Sequence, residues 1–80
     1  MGMLRLKEDT IRAWLKNKTA PPRTIEELAE ESKLEPSSLY MIFKGNREVT
    51  SNILRRLCET MGLDVADICF FDRDAETKDS

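Results

Sequence analysis

The chain has no histidine and, among 80 residues, only two cysteines, three glycines and three prolines. Without histidine, or a pair of cysteines at C-x-x-C spacing, the usual zinc ligands are missing, so no metal or cofactor is expected. Nucleophilic catalysis lacks its common imidazole base and no glycine-rich phosphate loop is present; the sequence does not read as an enzyme. No apolar run is long enough to cross a bilayer. The N-terminal MGMLRLKED lacks the apolar centre of a signal peptide, and Leu6 stands where a myristoylation signal needs Ser or Thr. The expectation is a cytoplasmic protein with no membrane contact, its Cys58 and Cys69 reduced and packed as small apolar side chains.

What is present fits one small globular domain. Apolar residues make up 40% of the chain, and a chain of this size buries about 60–65% of its unfolded surface, enough for a single core. The net charge is −2, which looks unsuited to a nucleic-acid binder until it is divided along the chain. Residues 1–24 sum to +4, 25–35 to −4 and 36–62 to +2, while 63–71 and 72–80 contribute −2 each. Such segregation can leave a basic face on a nearly neutral molecule.

The stretch from Thr24 to Gly45 organises the rest. Thr24 suits a helix N-cap, and Glu27 three residues on can reach back to complete a capping box. Leu28 and Ala29 face inward, and Ala29 is small enough for a close helix crossing. The chain then turns through Ser32, Lys33 and Leu34. Pro36 suits the first position of a second helix, where no amide hydrogen is needed. Leu39, Ile42 and Phe43 share one face of that helix at spacings of three and four. Ser37, Tyr40, Met41 and Lys44 are left on the other, and Gly45 can take the left-handed conformation that ends it. A helix anchored by its back and bare along its front fits a DNA major groove.

This run resembles the lambda-repressor-like (Cro/Xre) helix-turn-helix family of phage repressors and small bacterial regulators. Thr24, Leu28, Ala29, Leu34, Leu39, Ile42 and Gly45 carry the resemblance. It continues through Leu57, Met61, Gly62, Leu63 and Ile68, covering roughly residues 7 to 71. The fold this implies is all-α, a compact bundle of five short helices with the helix-turn-helix at residues 24–45. The sequence departs from the family pattern at three places: Ile25 replaces a phosphate-clamping Gln, Lys33 a turn Gly, and Glu35 a Ser or Thr before the reading helix.

The other segments are placed around this unit. Residues 1–6 form an N-terminal arm, the fraying start of the first helix, or a short strand, since Leu4 and Leu6 alternate with Arg5 and Lys7. A first helix is expected over about Lys7–Asn17, with Ile11, Trp14 and Leu15 inward, and the loop NKTAPPR follows. Thr50, Ser51 or Asn52 caps the fourth helix. Its N-terminal amides make a phosphate seat that Lys44, Asn46 and Arg47 flank. Ile53, Leu54, Leu57, Cys58 and Met61 form that helix's inward stripe. Asp64 caps a short fifth helix, with Val65, Ile68 and Cys69 inward. Phe70 and Phe71 exceed what a small monomer readily hides, and in the resembled family this region often makes the dimer contact. The domain is expected to span 1–71, followed by a disordered acidic tail over 72–80.

The resemblance implies a transcriptional regulator, expected to be a repressor, that binds a two-fold DNA operator as a homodimer. Ser37, Tyr40, Met41 and Lys44 would face base edges. Thr24, Asn46, Arg47, Thr50, Ser51 and Asn52 would hold phosphates, and Phe70 and Phe71 would form the dimer interface. With no second domain to sense a signal, control is expected from concentration, a partner or operator competition. The alternative is a helix-turn-helix used for protein binding, as an antitoxin or enzyme inhibitor, which Glu35, Met41 and the acidic second helix favour.

Overall fold

The computed structural model describes residues 2–73 and holds two strands and five helices in that span. In chain order these are β1 (Met3–Leu6), α1 (Glu8–Lys16), α2 (Ile25–Glu31), α3 (Pro36–Phe43), α4 (Ser51–Met61), α5 (Val65–Ile68) and β2 (Cys69–Asp72). The five helices were expected; the sheet was not, and the fold is therefore not strictly all-α. The N-terminal segment takes the strand option and pairs antiparallel with β2, Leu4 opposite Phe71 and Leu6 opposite Cys69. The alternation of Leu4 and Leu6 with Arg5 is what a half-buried strand needs. Its partner was missed because Cys69-Phe70-Phe71-Asp72 directly follows a helix with no turn residue between. Asp72, expected to begin the tail, is the last residue of β2; residues 74–80, the rest of that tail, lie outside the described residues.

Each helix contributes a stripe to one core. Ile11 and Leu15 come from α1, Ile25, Leu28 and Ala29 from α2, and Leu39, Ile42 and Phe43 from α3. Ile53, Leu54, Leu57 and Met61 of α4 close it, with Leu6, Val49 and Ile68 at the seams. Trp14 packs only partly against this cluster, its ring under the Lys18 ammonium at 4.5 Å. Val65 is exposed rather than inward, because four residues of helix give α5 only one inward position, which Ile68 takes.

The two turns around α3 are built alike. After α2, the amide of Leu34 donates to the Ala29 carbonyl (2.7 Å) and that of Lys33 to Glu30 (3.1 Å). After α3, Asn46 donates to Met41 (2.9 Å) and Gly45 to Ile42 (3.1 Å). Both are Schellman closures, which need a left-handed residue just past the helix. Gly45 supplies it freely at φ 81°, whereas Lys33 adopts φ 58° against its Cβ. The turn between α2 and α3 is thus real despite lacking the family's glycine. Buried Ser32 fastens it to α4, its hydroxyl bonded to that of Thr60 at 2.9 Å.

Candidate nucleic-acid interface

The polar side of α3 is open. Ser37, Met41 and Lys44 are exposed and Tyr40 is half-buried, while Leu39, Ile42 and Phe43 are sealed in the core behind them. Of the four expected base-facing side chains, Tyr40 alone is engaged: its hydroxyl donates to the carboxylate of Glu26, on the first turn of α2. This bond, helped by a backbone amide and by Arg12, lowers the Glu26 pKa below the ordinary glutamate value. The same carboxylate raises the Tyr40 pKa above the ordinary tyrosine value.

The segment expected to hold phosphates lies on one flank of α3. Thr50 is the cap of α4, its hydroxyl accepting from the Ile53 amide at 3.3 Å. Ser51 and Asn52 are exposed on its first turn, where helical amides have no carbonyl to bond. The Asn52 side-chain oxygen accepts from Arg55 at 3.2 Å. Asn46 and Arg47 are exposed in the preceding loop, and Arg47 reaches back to the Ser38 hydroxyl at 3.1 Å, so its guanidinium lies beside α3.

The other flank was not anticipated. A groove of about 400 Å³ is lined by Arg12, Lys16, Arg23, Thr24, Glu26 and Tyr40. It brings three cations from α1 and the following loop to the edge of the reading helix. The +4 of residues 1–24 and the one-turn spacing of Arg12 and Lys16 were the available signals. What the sequence could not show is that α1 passes beside Tyr40. Thr24 caps α2 as expected, its hydroxyl accepting from the Glu27 amide at 3.1 Å. Glu27 reaches back one residue further than a capping box, accepting from the Arg23 amide at 3.0 Å. Ile25, at the family's clamping Gln position, is 4% exposed and belongs to the core.

Arg5 holds the far end of α3. Its guanidinium donates to the Phe43 carbonyl at 3.2 Å and to Asp72 at 3.0 Å, and lies over the Phe70 ring at 5.9 Å. This places Arg5 in the scaffold. Phe70 and Phe71, expected at a dimer contact, are on β2 with 38% and 56% of their surface exposed.

A helix fixed by its back, open in front and flanked by cations and a capped helix N-terminus defines a helix-turn-helix DNA-binding domain. The helix-turn-helix family profile matches residues 23–68, more than half of the chain, and the protein belongs to this Cro/C1-type, lambda-repressor-like family. No curated protein and no solved structure matches it. Among the described residues, no helix is long and apolar enough to cross a membrane.

Proposed function

We propose that this protein is a sequence-specific transcriptional regulator, a repressor, that binds a two-fold operator as a homodimer. The observation that carries the reading is the uncovered front of α3 lying between two sets of cations: Lys44 and Arg47 on one side, Arg12, Lys16 and Arg23 on the other. Ser37, Met41 and Lys44 face base edges, and Met41 suits a thymine methyl. Tyr40 joins them once its hydroxyl leaves Glu26. Thr24, Asn46, Arg47, Thr50, Ser51 and Asn52 hold phosphates with the groove cations, and Phe70 and Phe71 meet a second copy. The protein acts in the compartment that holds the DNA.

Selection from a random duplex library tests this. The wild type enriches a two-fold sequence, Lys44→Glu with Arg47→Glu abolishes retention, and Met41→Ala retains DNA with relaxed preference at one position. No enrichment by the wild type would remove the proposal.

A second reading, protein binding, is favoured by one observation. Glu27, Glu30 and Glu31 line a notch of about 100 Å³ with Pro21, an acidic surface suited to a basic protein partner. Under that reading, changing these glutamates to lysine loses a co-purified protein and leaves duplex retention untouched.

A further inference from the structure

Among the described residues, β2 is paired along one edge only, to β1. The Lys7 amide donates to the Ile68 carbonyl at 2.7 Å, which fixes the parity of the ladder. In an antiparallel pair, hydrogen-bonded positions alternate. Residues 68, 70 and 72 therefore direct their backbone groups at β1, and 69, 71 and 73 direct theirs away. On β1 the opposite edge is occupied: the Leu4 carbonyl accepts from the Val49 amide at 3.2 Å, and the Leu4 amide donates to Glu48 at 2.8 Å. On β2 the Cys69 amide is taken by the Val65 carbonyl. Among the described residues, the groups left on the outer edge are the Cys69 carbonyl and both backbone groups of Phe71 and of Arg73.

Natural edges are blunted by lysine, proline, bulges or a covering element. Cys69–Asp72 holds no lysine or proline, and its register against β1 runs without a bulge. Phe70 and Phe71, on opposite faces of the strand, border it above and below with exposed rings. The Phe71 ring rests over Gly2, where an added Cβ would lie 2.4 Å from the ring and 2.8 Å from the Asp72 carbonyl. The ring is thus seated against Gly2, while 56% of Phe71 stays exposed.

We infer that β2 pairs antiparallel with β2 of a second copy, Phe71 opposite Phe71 about the two-fold axis, giving a four-stranded sheet across the dimer. This rests on the homodimer reading above and specifies its contact. The register follows from the free groups. With Phe71 on the axis, its amide and carbonyl bond their counterparts, and each Arg73 amide meets the other copy's Cys69 carbonyl, giving two bonds at the axis and one at each end. Shifting by one pair, to set Phe70 on the axis, keeps only the bond from each Phe71 amide to the other copy's Cys69 carbonyl, so the Phe71-centred register uses more of the free groups. Charge agrees with this choice. Antiparallel pairing carries each Arg73 toward the other copy's α5, whose first turn and cap are acidic through Asp67 and Asp64. No like charges stand opposite one another.

Four part-exposed rings and one short ladder bury well under the ~1,200 Å² of a stable interface. Pairing is therefore weak in free protein and strengthens when two copies share one duplex, where the effective concentration is high.

The test is sedimentation equilibrium up to millimolar protein for wild type, Phe71→Lys and Phe71→Leu, with amide exchange read residue by residue. The wild type self-associates at high concentration, and its Phe71 and Arg73 amides become protected as concentration rises. Phe71→Lys weakens association at least tenfold while its melting curve stays cooperative, and Phe71→Leu falls between. A wild type that stays monomeric, association unchanged in Phe71→Lys, or unprotected Phe71 amides in the associated state would each overturn the pairing. A duplex from the selection separates this from the DNA reading. Phe71→Lys still binds a half-site as the wild type does but loses cooperative occupancy of the full site. If no duplex is retained by any form, the DNA reading fails and the association data still decide the pairing.

Discussion

The hydroxyl of Tyr40 donates to the carboxylate of Glu26, tying the front of α3 to the first turn of α2. The bond makes Glu26 a stronger acid and Tyr40 a weaker one than usual. Glu26's folded pKa is depressed, so its contribution is complete above the ordinary glutamate value and is lost as pH falls through the lowered one. Tyr40's folded pKa is raised, so its contribution is complete below the ordinary tyrosine value and is lost as pH climbs through the raised one. Carboxyl NMR titration of Glu26 should give a value below that of an ordinary glutamate, moving back up in Tyr40→Phe. No movement in Tyr40→Phe would show that the tyrosine is not the cause.

Lys33 stands in a left-handed position where Gly45 is its counterpart at the other end of α3. Lys33→Gly relieves a steric cost of about 1–2 kcal/mol and adds unfolded-chain entropy of about 0.4–1 kcal/mol. The net gain is about 0.5–1 kcal/mol. The melting temperature should rise by about 2–8 °C; a fall would mean that the lysine makes contacts that outweigh its strain.

These two positions mark how far the sequence could be read. The periodicity of Leu39, Ile42 and Phe43, Pro36 at a helix start and Gly45 at its end placed α3 and its open face, because these signals are local. The run Thr50-Ser51-Asn52 and Asp64 announced the caps of α4 and α5 for the same reason, and Thr50 is the one of the three that caps α4. What stayed hidden depends on distant pairing. Only the fold shows that Arg5 reaches the end of α3, that Arg12 and Lys16 border Tyr40, or that Phe71 lies across from Leu4. Ile25 is instructive as well: an apolar residue at a family phosphate position signalled a change, and its burial places it in the core.

Glu35 occupies the N-cap of α3 but makes no capping bond. Glu35→Ser supplies a cap oxygen and should stabilise the domain by about 0.5–1 kcal/mol in chemical denaturation. It also removes a carboxylate from the entrance to the reading face, so duplex retention strengthens several-fold. Weaker retention in Glu35→Ser would instead point to Glu35 accepting from a cytosine amino group.

Arg5 joins β1 to the end of α3 and to β2 through Phe43 and Asp72. Arg5→Ala leaves the Phe43 carbonyl without this donor and should cost about 1–2 kcal/mol, discounted for the site's partial exposure. Arg5→Lys recovers less than half, since one ammonium cannot serve both partners in the guanidinium's geometry. Full recovery by lysine would show that charge, rather than the fork of donors, holds the helix end.

The salt dependence of duplex binding bears most directly on α3 as a DNA-reading element between two cationic flanks. Log affinity should fall linearly with log salt, and removing Lys16 or Arg47, one from each flank, should each reduce the slope by about 0.9 per bound copy. An affinity that does not change between low and high salt, or a slope untouched by both substitutions, would contradict the account.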